Sequence, residues 1–235
     1  MLMGPQNLRE NLGKLRARIA AVAALAGRDV CAITLLAVTK AQPAETVRAA
    51  AAEGLMDFGE SYLQEALPKL ALLQDLGLVW HFVGRLQANK TRLIAEHFDW
   101  VHSVDRAELA ERLSRQRPYH APPLNLCLQV NVGGQATKGG VPLEELPRLA
   151  AHTASLSRIR VRGLMCIPPA EADIGRQRAA FAPVRQLFDR MNAEGASFDT
   201  LSLGMSGDLE AAILEGSTMV RIGTALFGAR PSLQS

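Results

Sequence analysis

Lys40 closes the segment LLAVTK, where an apolar run ends in an amine. At the mouth of a buried strand the ammonium would be partly desolvated, which lowers its pKa and makes the free amine a nucleophile for a carbonyl. A strand-end lysine that reaches solvent is the plainer alternative. A second group lies far along the chain. Ser206 sits where a helix is expected to begin in LGMSGDLEAAI, and Gly223-Thr224 follow VRI. Backbone N–H groups at a turn and at a helix N-terminus favour an anion, so Ser206, Gly223 and Thr224 are expected to form a phosphate cup. Taken singly, Gly223 also reads as a tight turn and Ser206 as an N-cap.

Other segments carry weaker chemistry. GGQATKGG (133 to 140) has the glycine content of a phosphate loop but not its G-K-[ST] order, and reads as a loop. The histidines include no i, i+4 pair on a helix, so no metal site is expected. Glu60 and Asp208 could act as acids or bases, although a solvated helix start is the commoner place for such residues. Met165 and Met205 read as core or pocket lining. Arg85, Lys90 and Arg92 form a basic patch in GRLQANKTR without interleaved aromatics to stack bases.

These residues need elements to position them. Eight β-rich runs recur at AITLLAVT (32 to 39), MDFG (56 to 59), WHFVG (80 to 84), WVHSV (100 to 104), NLCLQVN (125 to 131), VRGLMCI (161 to 167), TLSLG (200 to 204) and MVRIGT (219 to 224). Helical periodicity covers 6 to 26, 43 to 53, 61 to 75, 87 to 97, 105 to 117, 143 to 156, 172 to 194 and 207 to 215. Asp105 and Ser206 read as N-caps. The strands recur about every 27 residues, near the roughly 30 of a βαβ unit. Unbroken apolar runs such as ITLLAV suit strands covered on both faces. The expected fold is therefore α/β, a single (β/α)8 TIM-type barrel over residues 1–235, with an open doubly wound sheet as the alternative. In a barrel, the C-terminal strand ends carry the site, which selects Lys40, Ser206, Gly223 and Thr224.

Composition bounds the function. With 26 Lys+Arg against 23 Asp+Glu, and the arginines scattered, nucleic acid is not an expected partner. No apolar stretch approaches the length of a bilayer span, so no membrane partner is expected either. Arg16 and Arg18 before the run Ile19 to Gly27 imitate a signal peptide. Leu8, Leu12, Leu15, Ile19, Val22 and Leu25 instead recur at helical spacing, which predicts an extra amphipathic N-terminal helix. Cys31, Cys127 and Cys166 form no C-x-x-C pair and read as small core residues of a cytoplasmic protein.

LLAVTK (35 to 40), FGESYLQE (58 to 65), WHFVGRLQANK (80 to 90), LQVN with Lys138-Gly139 downstream, GLM (163 to 165) and LSLGMSGDLEAAILEGSTMVRIGTALFGAR (201 to 230) resemble the pyridoxal phosphate homeostasis protein family. That family is related to the barrel domain of alanine racemases, and the likeness runs in order from about residue 8 to 230. It implies an alanine racemase N-terminal-domain-like barrel holding pyridoxal 5′-phosphate. It also implies Lys40 as the lysine that forms the Schiff base, Arg221 opposite the pyridine nitrogen, and Ser206, Gly223 and Thr224 around the phosphate. The family's usual G-E-N reads Gly59-Glu60-Ser61 here, so an amide contact from position 61 gives way to the hydroxyl of Ser61.

The resemblance implies buffering and delivery of the cofactor, with pyridoxal-phosphate-dependent apo-enzymes as partners, a role in vitamin B6 and amino- and keto-acid homeostasis, and a monomeric state. A minimal amino-acid racemase or lyase is the enzyme alternative, and an RNA-binding barrel is a third reading. Two features weigh against an enzyme. Tyr62 and Tyr119 are the only tyrosines, so the second-domain tyrosine of barrel-fold racemases has no counterpart. An arginine at the pyridine nitrogen also keeps that nitrogen unprotonated, which weakens the ring as an electron sink.

Overall fold

A computed structural model describes residues 5–134 and 139–228, so Lys138 lies outside the described residues. Eight parallel strands close into a barrel in chain order, β1 pairing with both β2 and β8. They are β1 (Thr34–Val38), β2 (Asp57–Glu60), β3 (Val79–Phe82), β4 (Trp100–Val104), β5 (Leu124–Val130), β6 (Ile159–Cys166), β7 (Thr200–Ser202) and β8 (Met219–Ile222). The apolar runs produced these strands because both faces are covered. Ala37, Val101, Leu126, Leu128, Leu164, Leu201 and Val220 are fully buried against the helices.

The helices that follow the strands are α2 (Ala44–Ala52), α3 (Leu63–Leu72), α4 (Thr91–His97), α5 (Ala107–Gln116), α6 (Leu146–Ala154), α7 (Ile174–Ala193), α8 (Leu209–Leu214) and α9 (Thr224–Phe227). The last was not foreseen, and a four-residue helix carries little periodicity. The N-terminal helix α1 (Pro5–Leu25) buries Leu8, Leu12, Leu15, Ile19 and Val22 against α8 and α9, closing the outer ring. Leu25 is the exception at 80% exposed. Arg18 pairs with Glu210 at 2.8 Å, and Asn11 donates to the Leu226 carbonyl at 3.1 Å. No helix among the described residues is long and apolar enough to cross a membrane.

Three local expectations are corrected. Asp105 does not cap α5, whose N-cap is Arg106; its carboxylate accepts the Gly140 N–H at 3.2 Å, bracing the loop after β5. Ser206 does not cap α8, which starts at Leu209 with Asp208 as N-cap. Cys31 is exposed, whereas Cys127 and Cys166 are buried and their thiols are pushed up to about 12 by desolvation, which leaves them unreactive.

Candidate cofactor-binding site

Side chains alternate along a strand, so each strand sends one parity to the helices and the other into the barrel. On β1, Leu36 and Val38 face inward, where a Cβ on Gly59 would meet both of them, which puts Lys40 on the same parity at the barrel mouth. β8 runs beside it in register, Leu36 opposite Arg221 and Ala37 opposite Ile222. Gly223 therefore lies beside Val38, and a Cβ there would sit 3.3 Å from the Val38 carbonyl oxygen. Lys40, Arg221 and the Gly223-Thr224 turn thus belong to one corner of the mouth, on adjacent strands far apart in sequence.

Lys40 is half-buried, and the chain after it is strained. Ala41 has φ 61°, a left-handed conformation that costs an L-residue roughly 1–2 kcal/mol. Its N–H donates to Glu65 Oε2 on α3 at 2.9 Å, which holds the bend. Beneath it lies a buried ion pair. Lys69 Nζ donates to Glu60 Oε1 at 2.6 Å and to the Thr39 carbonyl at 2.8 Å, and Thr39 Oγ1 donates to the same Glu60 oxygen at 2.6 Å. Glu60 is thus fully buried at the end of β2 and not at a solvated helix start. Burial pushes its pKa up, against the pull of Lys69 and Thr39.

Ser206 meets a different helix from the one expected. Ser206 Oγ accepts the Ala225 N–H of α9 at 3.2 Å, which brings the loop after β7 onto the turn after β8. The first intrahelical bond there runs from Leu226 N–H to the Gly223 carbonyl, so the preceding N–H groups of the turn have no partner inside the helix. Asp208 accepts the Met205 N–H and fixes the loop, leaving Met205 39% exposed at the rim, outside the core. Ser61 follows β2, half-buried, and Tyr62 beside it is exposed. A Cβ at Gly84 would sit 2.0 Å from the Ser61 carbonyl oxygen, so only glycine lets the β3 exit pass so close. Tyr119 lies on the opposite face, in the α5–β5 loop, stacked with Arg158.

Arg221 is the charged group of the barrel interior. It is 5% exposed and donates only to neutral oxygens: NH1 to the Ser202 carbonyl at 2.6 Å and to Ser202 Oγ at 2.8 Å, and NH2 to the Cys166 carbonyl at 2.9 Å. Of five guanidinium N–H groups, the Nε–H and one on NH2 make no hydrogen bond to the described residues. Those two N–H groups are not used by the protein oxygens that hold Arg221, so they are available to an acceptor atom on a ligand. The neighbouring residues were not singled out from sequence. His81 and His102 lie on inward positions of β3 and β4 and are completely buried, His81 stacked on Trp100 at 5.3 Å. Strand parity was the signal that could have found them. Both occupy inward positions where aliphatic layers normally fill a barrel.

Burial lowers the pKa of His81, and lowers that of His102 further, helped by the positive charge of Arg221. Both are therefore neutral in the folded protein at pH 7, while the unfolded chain protonates them below about pH 6.5. Their contribution to stability is present above that value and is lost as pH falls. Stability should fall by up to about 2.7 kcal/mol per pH unit below pH 6.5 from these two groups. Urea unfolding between pH 7 and pH 5, compared with a His81→Asn variant, checks this; parallel curves would contradict it.

The profile of the alanine racemase N-terminal domain matches residues 10–231. A pyridoxal phosphate homeostasis protein of Pseudomonas aeruginosa is 59% identical over 94% of this chain and 95% of its own length. The chain belongs to the pyridoxal phosphate homeostasis protein family. A family member from Escherichia coli is 48% identical over 95% of this chain and 97% of its own. PipY of Synechococcus elongatus, solved with pyridoxal phosphate bound, is 38% identical with a TM-score of 0.79, covering 94% of this chain and all of that one. The match to the family begins at residue 10 and so takes in most of α1 as well as the barrel.

Proposed function

We propose that this chain binds pyridoxal 5′-phosphate at the barrel mouth and acts in its homeostasis, buffering and delivering it rather than turning over a substrate with it. The observation that carries the reading is Arg221, a guanidinium held inside the barrel by neutral oxygens of Ser202 and Cys166, on the strand next to the one that Lys40 follows. The relative PipY, solved with the cofactor, supports it. When bound, the cofactor supplies an aldehyde that condenses with an amine and a ring that withdraws electrons. Lys40 supplies the amine. Ser206, Gly223 and Thr224 hold the phosphate at the α9 turn, and Ser61 contributes its hydroxyl beside β2. Arg221 faces the ring nitrogen as a donor. It stays protonated even though burial lowers its pKa, so it opposes a second positive charge there.

Ser206→Ala tests the cup. The lost bond goes to a charged group and is worth about 1.5–3 kcal/mol, so affinity for the phosphorylated cofactor should drop roughly ten- to a hundredfold. Affinity for unphosphorylated pyridoxal should barely change. Equal losses would show that Ser206 only braces α9.

The competing reading is a minimal amino-acid racemase or lyase, which requires a proton to leave Cα and return. Arg221 weakens the ring as an electron sink, and Tyr62, the tyrosine at the mouth, is 56% exposed. Holoprotein incubated with L-alanine or L-serine in heavy water should therefore leave the Cα hydrogen unexchanged. Rapid exchange that Lys40→Ala abolishes would establish the enzyme instead. The proposal includes transfer to apo-enzymes by a monomeric, cytoplasmic carrier. As for RNA, Arg92 of the basic patch is paired with Glu96 at 2.9 Å, which partly neutralises that surface.

A further inference from the structure

A chain of hydrogen bonds crosses the barrel interior beneath the mouth. Arg221 NH1 lies 2.8 Å from Ser202 Oγ, Ser202 Oγ 3.0 Å from His102 Nδ1, His102 Nε2 3.0 Å from His81 Nδ1, and His81 Nε2 3.0 Å from Asp57 Oδ1. Asp57 begins β2 on the barrel floor and is partly exposed. The chain therefore joins a buried cation near the mouth to a carboxylate at the floor, through groups on β8, β7, β4, β3 and β2.

Its two ends fix its direction. An arginine can only donate and an ionised carboxylate can only accept. Ser202 Oγ therefore accepts from Arg221, and its own hydrogen is available for His102 Nδ1. His102 then carries its hydrogen on Nε2 and donates to His81 Nδ1, and His81 carries its hydrogen on Nε2 and donates to Asp57. With both rings neutral, the opposite arrangement would set the bare Nε2 lone pair of His81 against the Asp57 carboxylate at 3.0 Å, two acceptors facing each other. Protonating His81 would also satisfy Asp57, but it would place a second cation in an interior that already holds Arg221, and burial opposes that.

We propose that His102 and His81 are positioning residues. They fix the hydrogen of Ser202 so that its lone pair stays on Arg221, which aims the two remaining guanidinium donors at the ring nitrogen of the bound cofactor. Among the described residues no carboxylate is hydrogen-bonded to Arg221; two carbonyls and the Ser202 hydroxyl hold it, and the relay fixes the hydroxyl. The stack of His81 on Trp100, whose indole also carries Arg162 at 4.7 Å, restrains the His81 ring. The inference rests on the cofactor-binding reading above and adds two residues of the barrel interior to it.

Two measurements test it. The first needs no cofactor: the ring-nitrogen chemical shifts of ¹⁵N-histidine protein at pH 7 should show His81 and His102 neutral, each with its hydrogen on Nε2. A hydrogen on Nδ1 of His102, or a doubly protonated ring, overturns the proposal however the cofactor behaves. The second uses pyridoxal phosphate labelled with ¹⁵N in its ring, bound to wild type and to His102→Leu, His102→Gln and His102→Asn. Asparagine can still offer an oxygen to Ser202 where Nδ1 was, while glutamine places its amide at the Nε2 position. Leucine and glutamine should shift the bound ring-nitrogen signal and weaken binding about tenfold, as expected for misaligning one charge-assisted bond. Asparagine should restore both. An unchanged signal in folded His102→Leu would show that His102 only fills the barrel. Should that variant fail to fold, the wild-type histidine shifts decide. If wild type binds no pyridoxal phosphate, the reading of the site fails first, and correct histidine tautomers would then show the relay to be purely structural.

Discussion

Lys69→Met will be the most destabilising single change at the mouth, costing about 3–5 kcal/mol at pH 8, because it leaves Glu60 buried without its cation. Glu60 is fully buried and its second oxygen, Oε2, has no hydrogen-bond partner among the described residues, so Lys69 is the cation that balances its charge. The sign of the pH dependence follows. Burial already holds the Glu60 pKa above its ordinary value, and removing Lys69 takes away the Coulombic and hydrogen-bonding pulls that restrain it, so it rises further. A raised carboxyl stabilises the fold below its unfolded value and loses that contribution as pH rises. The variant should therefore recover part of its loss on acidification toward about pH 5.5, and Glu60→Gln in the same chain should recover much of it at pH 8. Denaturant unfolding of wild type, single and double variants measures this. A loss under about 1 kcal/mol without pH dependence would show that the pair is not a structural unit.

Lys40→Ala should do the reverse, with little effect on stability and a large effect on ligand. Lys40 is half-buried at the mouth rather than in the core, and its removal leaves the Lys69 bond to the Thr39 carbonyl in place. Chemical stability should change by no more than about 1 kcal/mol. The covalent contribution to binding goes, leaving the phosphate cup and Arg221. Affinity should fall roughly a hundredfold or more, and the yellow colour of the lysine adduct should vanish. The Ala41 bend gives an internal control, because Glu65 still holds it through the backbone.

The barrel was legible because its signals are local and repeat: eight apolar runs, each buried on both faces, at βαβ spacing. Strand-end position and resemblance select Lys40, Ser206 and the Gly223-Thr224 turn together, and resemblance alone selects Arg221; the structure sets Arg221 and the turn on the strand beside β1 and ties Ser206 to that turn. What was missed depends on partners distant in sequence. Asp105 and Ser206 are good capping residues by type, yet Gly140 and Ala225 claim their side chains instead. Glu60 was read as solvated because its partner Lys69 lies on the next helix, where a lysine ordinarily marks the wet face. Cys31 was read as core by residue type, but the short 3-10 turn that holds it, Val30–Ala32, buries none of its residues. His81 and His102 make a functional pattern only once adjacent strands are placed side by side.

The account stands or falls on one covalent bond. Protein incubated with pyridoxal phosphate, reduced with borohydride and digested should yield a single major pyridoxyl-lysine peptide, with the label on Lys40. Label wholly on another lysine, Lys69 or Lys138 for instance, or no label despite tight binding, would contradict the site described above.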